Sequence, residues 1–175
     1  FGDGSGNSTS NSGEVYLYTI PSISTSISDA VFGTNAGDDL TLTTGTITTL
    51  LSAATNVVLQ ANNDITVSEA ITAANASGNG GNLTMQAGRS ILINANITTD
   101  NGDLTLTANE TAANGVVDAQ RDSGNAEINL TGATINTGTG TFTATISAGA
   151  DKTNSGTADI TLNTVTAGAL VMANN

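Results

Sequence analysis

Apolar residues in this chain alternate in short runs, and the runs return with fixed offsets. Val57, Leu59 and Ala61 alternate with their neighbours, followed by Ile65 and Val67 and then by Ile71. The same offsets recur at Leu83, Met85 and Ala87, then Ile91 and Ile93, then Ile97. Period-two alternation predicts strands with one buried face. The four-residue step between runs predicts a corner. A set of strands and corners that returns about every twenty residues predicts an all-β solenoid of imperfect coils, with strands stacked in parallel and in register.

The pattern extends on both sides of these two copies. Leu40 and Leu42 open a coil that continues through Ile47, Leu50 and Leu51. Leu104, Leu106 and Ala108 start another, interrupted at 109–115 and resuming near Val116 and Val117. Ile128, Leu130 and Ile135 predict a shorter coil. Phe142, Ala144 and Ile146, then Ile160, Leu162 and Val165, predict further copies, and Leu170 with Met172 one more strand. Roughly eight coils at about 4.8 Å each would make a rod on the order of 40 Å long. Polar stretches at 72–81 and 118–125 predict loops inserted at corners. Asn62, Asn63, Asn94, Asn96 and Asn109 fall near strand ends, where stacked side-chain amides form hydrogen-bond ladders. Neither end shows an amphipathic helix or a charged cap. The solenoid at 40–175 is therefore expected either to continue in a longer chain or to meet other copies head to tail.

Residues 1–13 are mostly Gly, Ser and Asn and read as a flexible lead-in. The stretch 14–39 reads as an irregular strand, a cap, or a strand exchanged with a neighbouring subunit. Val15, Leu17, Tyr18 and Ile20 are its candidate self-assembly residues, and Pro21 ends the run. A chain that starts at Phe1 rather than Met reads as a processed product or an excised piece.

Composition narrows the chemistry. Lys and Arg total 3 against 15 carboxylates, a formal charge of -12. Such a chain is repelled by nucleic acid and by anionic membrane surfaces, so neither is an expected partner. No run is long enough to span a bilayer. With no His and no Cys, nucleophilic triads and zinc sites built on those ligands are excluded, as are disulfides.

The run Asn82-Leu83-Thr84-Met85-Gln86-Ala87-Gly88-Arg89-Ser90-Ile91-Leu92-Ile93-Asn94-Ala95-Asn96-Ile97, followed by Asn101-Gly102-Asp103-Leu104-Thr105-Leu106-Thr107-Ala108, resembles the repeats of filamentous-haemagglutinin-like proteins. These include the large adhesins exported by two-partner secretion. Asp159-Ile160-Thr161-Leu162-Asn163 and Thr166-Ala167-Gly168-Ala169-Leu170 are similar to them too, and the resemblance covers about residues 40–175. It implies a right-handed parallel β-helix, an extracellular or bacterial cell-surface location, and roles in adhesion, biofilm or surface fibres.

Candidate sites are sparse. Asp64, Glu69, Asp100, Asp103 and Glu110 are the carboxylates from which a carbohydrate-active β-helix would draw an acid–base pair, but they sit at corners where solvated charge is expected anyway. The expectation is no enzyme. Calcium, the one cofactor considered, would draw on Asp38 with Asp39, or on Asp100 and Asp103. The second pair equally suits a turn closed by Asx hydrogen bonds. Asn-x-Ser/Thr triplets begin at Asn7, Asn75, Asn82, Asn96, Asn109 and Asn129, the number that composition alone gives. Asn75 and Asn79 in one loop, and Asp118, Arg121 and Asp122 in the other, are the candidates for contact with surface glycans or proteins. The expected function is a stiff adhesin shaft or fibre. The alternatives are a self-assembling extracellular filament subunit and, behind it, a carbohydrate-active β-helix.

Overall fold

The structure is a computed structural model, and it describes residues 15–17, 27–34, 37, 39–148 and 159–175. Strands succeed one another in triplets. The first is β3 (Val57–Ala61), β4 (Ile65–Val67) and β5 (Ile71–Thr72); the second is β6 (Leu83–Ala87), β7 (Ile91–Ile93) and β8 (Ile97–Thr98). The third is β9 (Leu104–Ala108), β10 (Glu127–Asn129) and β11 (Thr134–Asn136). The fourth is β12 (Thr141–Ile146), β13 (Asp159–Thr161) and β14 (Thr164–Thr166), and β15 (Ala169–Asn174) follows. Two shorter strands, β1 (Val15–Leu17) and β2 (Leu40–Leu42), precede them, with helix α1 (Thr44–Ser52) between β2 and β3.

Each member of a triplet joins a different parallel sheet. The orders are β15-β12-β9-β6-β3 in a five-stranded sheet, β13-β10-β7-β4-β1-β2 in a six-stranded sheet and β14-β11-β8-β5 in a four-stranded sheet. The register matches the apolar pattern. Val57, Leu83, Leu104, Phe142 and Leu170 align across one sheet. Ile65, Ile91, Ile128 and Ile160 align across the second, and Ile71, Ile97, Ile135 and Val165 across the third. From Val57 to Ile146 the alternating apolar side chains of these columns are buried and form one core.

Several expectations need correction. Ile128 and Ile135 do not start a short coil of their own; they complete the triplet begun at Leu104, after a loop at 109–126. Val116 and Val117 belong to that loop and not to a strand. Among the described residues the deepest sheet thus holds six strands, not eight, and spans on the order of 25 Å. Strand β1 is not available for exchange. It pairs with β2 on one edge and β4 on the other, inside the six-stranded sheet, and Val15 is buried. Tyr18 and Ile20 lie outside the described residues.

Helix α1 replaces the expected strands after Leu42. Its Thr-rich sequence favours a strand, but Ile47, Leu50 and Leu51 fall at i, i+3 and i+4 and share one helical face. Ile47 and Leu51 are buried in the core. The helix covers the outer edge of β5, where Thr48 Oγ1 accepts the Thr72 N–H at 3.3 Å and Ser52 Oγ accepts the Ala74 N–H at 3.0 Å. Side-chain hydroxyls of a helix thus satisfy donors that an edge strand leaves open, a cover for the β5 edge that the sequence pattern did not anticipate. The helix ends in a Schellman turn, with Thr55 N–H on Leu50 O and Ala54 N–H on Leu51 O. Ala54 adopts φ 59°, a left-handed conformation that its β-carbon disfavours. Ala54→Gly is expected to raise stability by about 0.5–1 kcal/mol, checked by urea denaturation.

The residue that opens each strand carries a second regularity. Asn56 Oδ1 accepts the Asn82 N–H, Asn82 Oδ1 accepts the Asp103 N–H, and Asp103 Oδ1 accepts the Thr141 N–H, at 2.9, 2.9 and 2.7 Å. In the six-stranded sheet Asp64 Oδ1 takes the Ser90 N–H and Ser90 Oγ takes the Glu127 N–H. In the four-stranded sheet Asn96 Oδ1 takes the Thr134 N–H. In each of these bonds the acceptor side chain precedes its donor by one triplet.

Candidate interaction site

The densest polar cluster lies at the corner between the five- and six-stranded sheets. Asn62, Asn63 and Asp64 follow β3; Gly88, Arg89 and Ser90 follow β6; Asn109 and Glu110 follow β9. Polar residues suit this corner because the backbone leaves one sheet here and must find partners before joining the next. Loop 109–126 folds back over it. Asn109 starts the loop in a left-handed conformation (φ 56°), which Asn tolerates better than branched residues do.

Two of the chain's three basic residues meet here. Arg89 donates from Nε to Asp64 Oδ1 at 2.8 Å and pairs through Nη2 with the other carboxylate oxygen. Its Nη1 lies 3.8 Å from Asp122 Oδ2, which also accepts Asn63 Nδ2 at 2.8 Å. Arg121 is only 1% exposed. Its Nη1 donates to Gly88 O at 3.1 Å and Glu110 O at 2.8 Å, and its Nη2 to Asp118 Oδ1 at 2.7 Å. A guanidinium tolerates burial when its fork of donors is met by fixed acceptors, and two backbone carbonyls and a carboxylate meet it here.

This placement corrects the reading of Arg121 as a contact residue, since a buried side chain offers nothing to a partner. Asp118 is half-buried and held by Arg121, whereas Asp122 stays exposed at the rim. In the other loop, Asn75 is half-buried and donates to Ser52 O at 2.7 Å, while its Oδ1 accepts from Ser77. Asn79 is exposed. Exposed surface on the two loops therefore centres on Ala76, Ser77 and Asn79, and on Ala112–Asn114 and 122–125.

The candidate calcium ligands are engaged in structural bonds. Asp100 and Asn101 both take positive φ, 54° and 70°, as in a type I′ turn. Asp100 Oδ2 accepts the Asn75 N–H, and Asp103 Oδ1 accepts the Thr141 N–H. Asp39 is exposed, and Asp38 lies outside the described residues. Among the described residues, no group of three or more carboxylates is placed to hold a metal ion. The carboxylates considered for acid–base chemistry are similarly occupied. Asp64 faces Arg89, and Glu110 Oε2 accepts Asn114 Nδ2 at 2.6 Å.

Sequence reasoning singled out Asn62 and Asn63 only as ladder candidates, and Arg89 not at all. The missed signal was scarcity: in a chain this acidic, each arginine has carboxylates competing for it. No helix among the described residues is long and apolar enough to cross a membrane. No family model, curated protein or solved structure matches the chain.

Proposed function

We propose that the three parallel sheets are the faces of a right-handed parallel β-helix, and that the protein is a non-enzymatic shaft or fibre element of a bacterial cell-surface or secreted protein. The observation that carries this reading is the unbroken parallel register from β3 to β12 and from β4 to β13. Backbone hydrogen bonds in such a stack run along its axis, which makes a stiff rod. The polar side chains at the corners are taken up in holding triplets together, which suits a mechanical role better than turnover. Surface glycans or proteins would meet the exposed tips of the two loops, near Asn79 and Asp122. The formal charge of -12 keeps nucleic acid and anionic membranes away.

A filament built head to tail is the second reading. The covering of the β5 edge by α1 weighs against it, because a stacking partner would need that edge bare.

Pulling single molecules from both ends tests the shaft. Triplets that fail one after another would release about 20–40 residues per step, roughly 70–140 Å of contour. A chain that gives way in one event, at forces that open ordinary helical domains, is no shaft.

A further inference from the structure

We infer that loop 109–126 is a latch on the segment 27–34, that loop and segment open and close as one unit, and that opening bares the outer edge of β3. Strand β3 is the last in its sheet, so its outer edge needs cover. The segment supplies it: Gln60 N–H donates to Ala30 O at 2.8 Å, and Phe32 N–H reaches Gln60 Oε1 at 3.4 Å. The segment also buries Phe32 to 3% exposure.

Further hold comes from the loop. Asn62, itself 3% exposed, joins the two: its Nδ2 donates to Phe32 O at 2.9 Å and its Oδ1 accepts the Val117 N–H at 2.9 Å. The ring of Phe32 packs against Gly115, where an added β-carbon would lie 3.4 Å from Cδ2. Gln120 reaches Gly37, where an added β-carbon would lie 3.0 Å from Oε1. The loop in turn is tied to the second triplet by Arg121, on Gly88 O, and to the first by Asp122, which accepts from Asn63, while Arg121 also closes the loop on itself through Glu110 O. A segment early in the chain is therefore locked by one that follows the first two triplets and β9. Neither side of the Asn62 bridge can leave without stripping the buried Asn62 amide of one of its partners, which couples the two sides into a cooperative unit.

Native-state hydrogen exchange on the full chain tests this. Across a urea series, the amides of Phe32, Gln60 and Val117 should merge onto one opening isotherm, below that of Leu83, whose N–H is bonded to Asp103 O inside the sheet. Arg121→Met should speed exchange at Phe32 and Gln60, together with Val117, by about tenfold or more, and leave Leu83 within about twofold. Faster exchange at Val117 alone overturns the proposal. If the substitution loosens Leu83 as well, the urea series on the unmodified chain decides, and separate isotherms for Phe32 and Val117 overturn it.

Discussion

Gly102→Ala should destabilise the protein by about 3 kcal/mol, read as a lower urea midpoint with an unchanged slope. The cause is contact, not backbone conformation. A β-carbon at Gly102 would sit 2.2 Å from the carbonyl oxygen of Gly81. The same crowding recurs down one corner: 2.1 Å from Thr55 O at Gly81, 2.5 Å from Gly102 O at Gly140 and 2.1 Å from Thr139 O at Gly168. Each obstructing atom is backbone, so no side chain can rotate away. Relief requires prising neighbouring triplets apart, which lengthens bonds such as Leu83 N–H to Asp103 O, now 2.9 Å. Gly132→Ala is the control. Its nearest neighbour, Asn94 O, would be 3.5 Å from the new carbon, and the change should stay within about 0.5 kcal/mol.

Phe142→Ala should cost about 3–5 kcal/mol. Phe142 is fully buried and is the bulkiest apolar side chain in the core. It lies between Leu104 and Leu170 in register. The void left by the ring would open on that last neighbour, and Leu170 is already 53% exposed. The loss should therefore be uneven. Exchange should rise in β15 while the β3–β6 pairing keeps its protection, because within this sheet each strand pairs only with its neighbours. Equal loosening of both regions would contradict that nearest-neighbour picture.

The parts of the fold legible in the sequence are those where local pattern and packing agree. The runs at 57, 65 and 71 and at 83, 91 and 97 alternate cleanly, and they pair as the offsets imply. The third triplet was misread because the loop at 109–126 separates Ala108 from Ile128, and a fixed offset cannot see across an insertion. Helix α1 was misread because its threonines pull towards strand, although Ile47, Leu50 and Leu51 held the helical spacing. The position of β1 left no local trace. It precedes β2 in the chain yet lies deeper in the sheet, and only packing decides such an order. At the corner cluster, the charge of Arg121 suggested solvent. Its burial depends on carbonyls of Gly88 and Glu110, which every residue has and no motif reports.

The side-chain acceptors that open the strands have a bearing on how the chain is assembled in time. Asn56 lies before Asn82, which lies before Asp103, and the acceptor of each bond always comes first in the chain. A polypeptide emerging amino end first therefore presents each socket before the group that fills it. Growth in that direction brings each of these donors to a side-chain acceptor already in place. For these side-chain bonds the order of emergence and the order of bonding coincide, whereas the cover over β3 waits for the loop at 109–126.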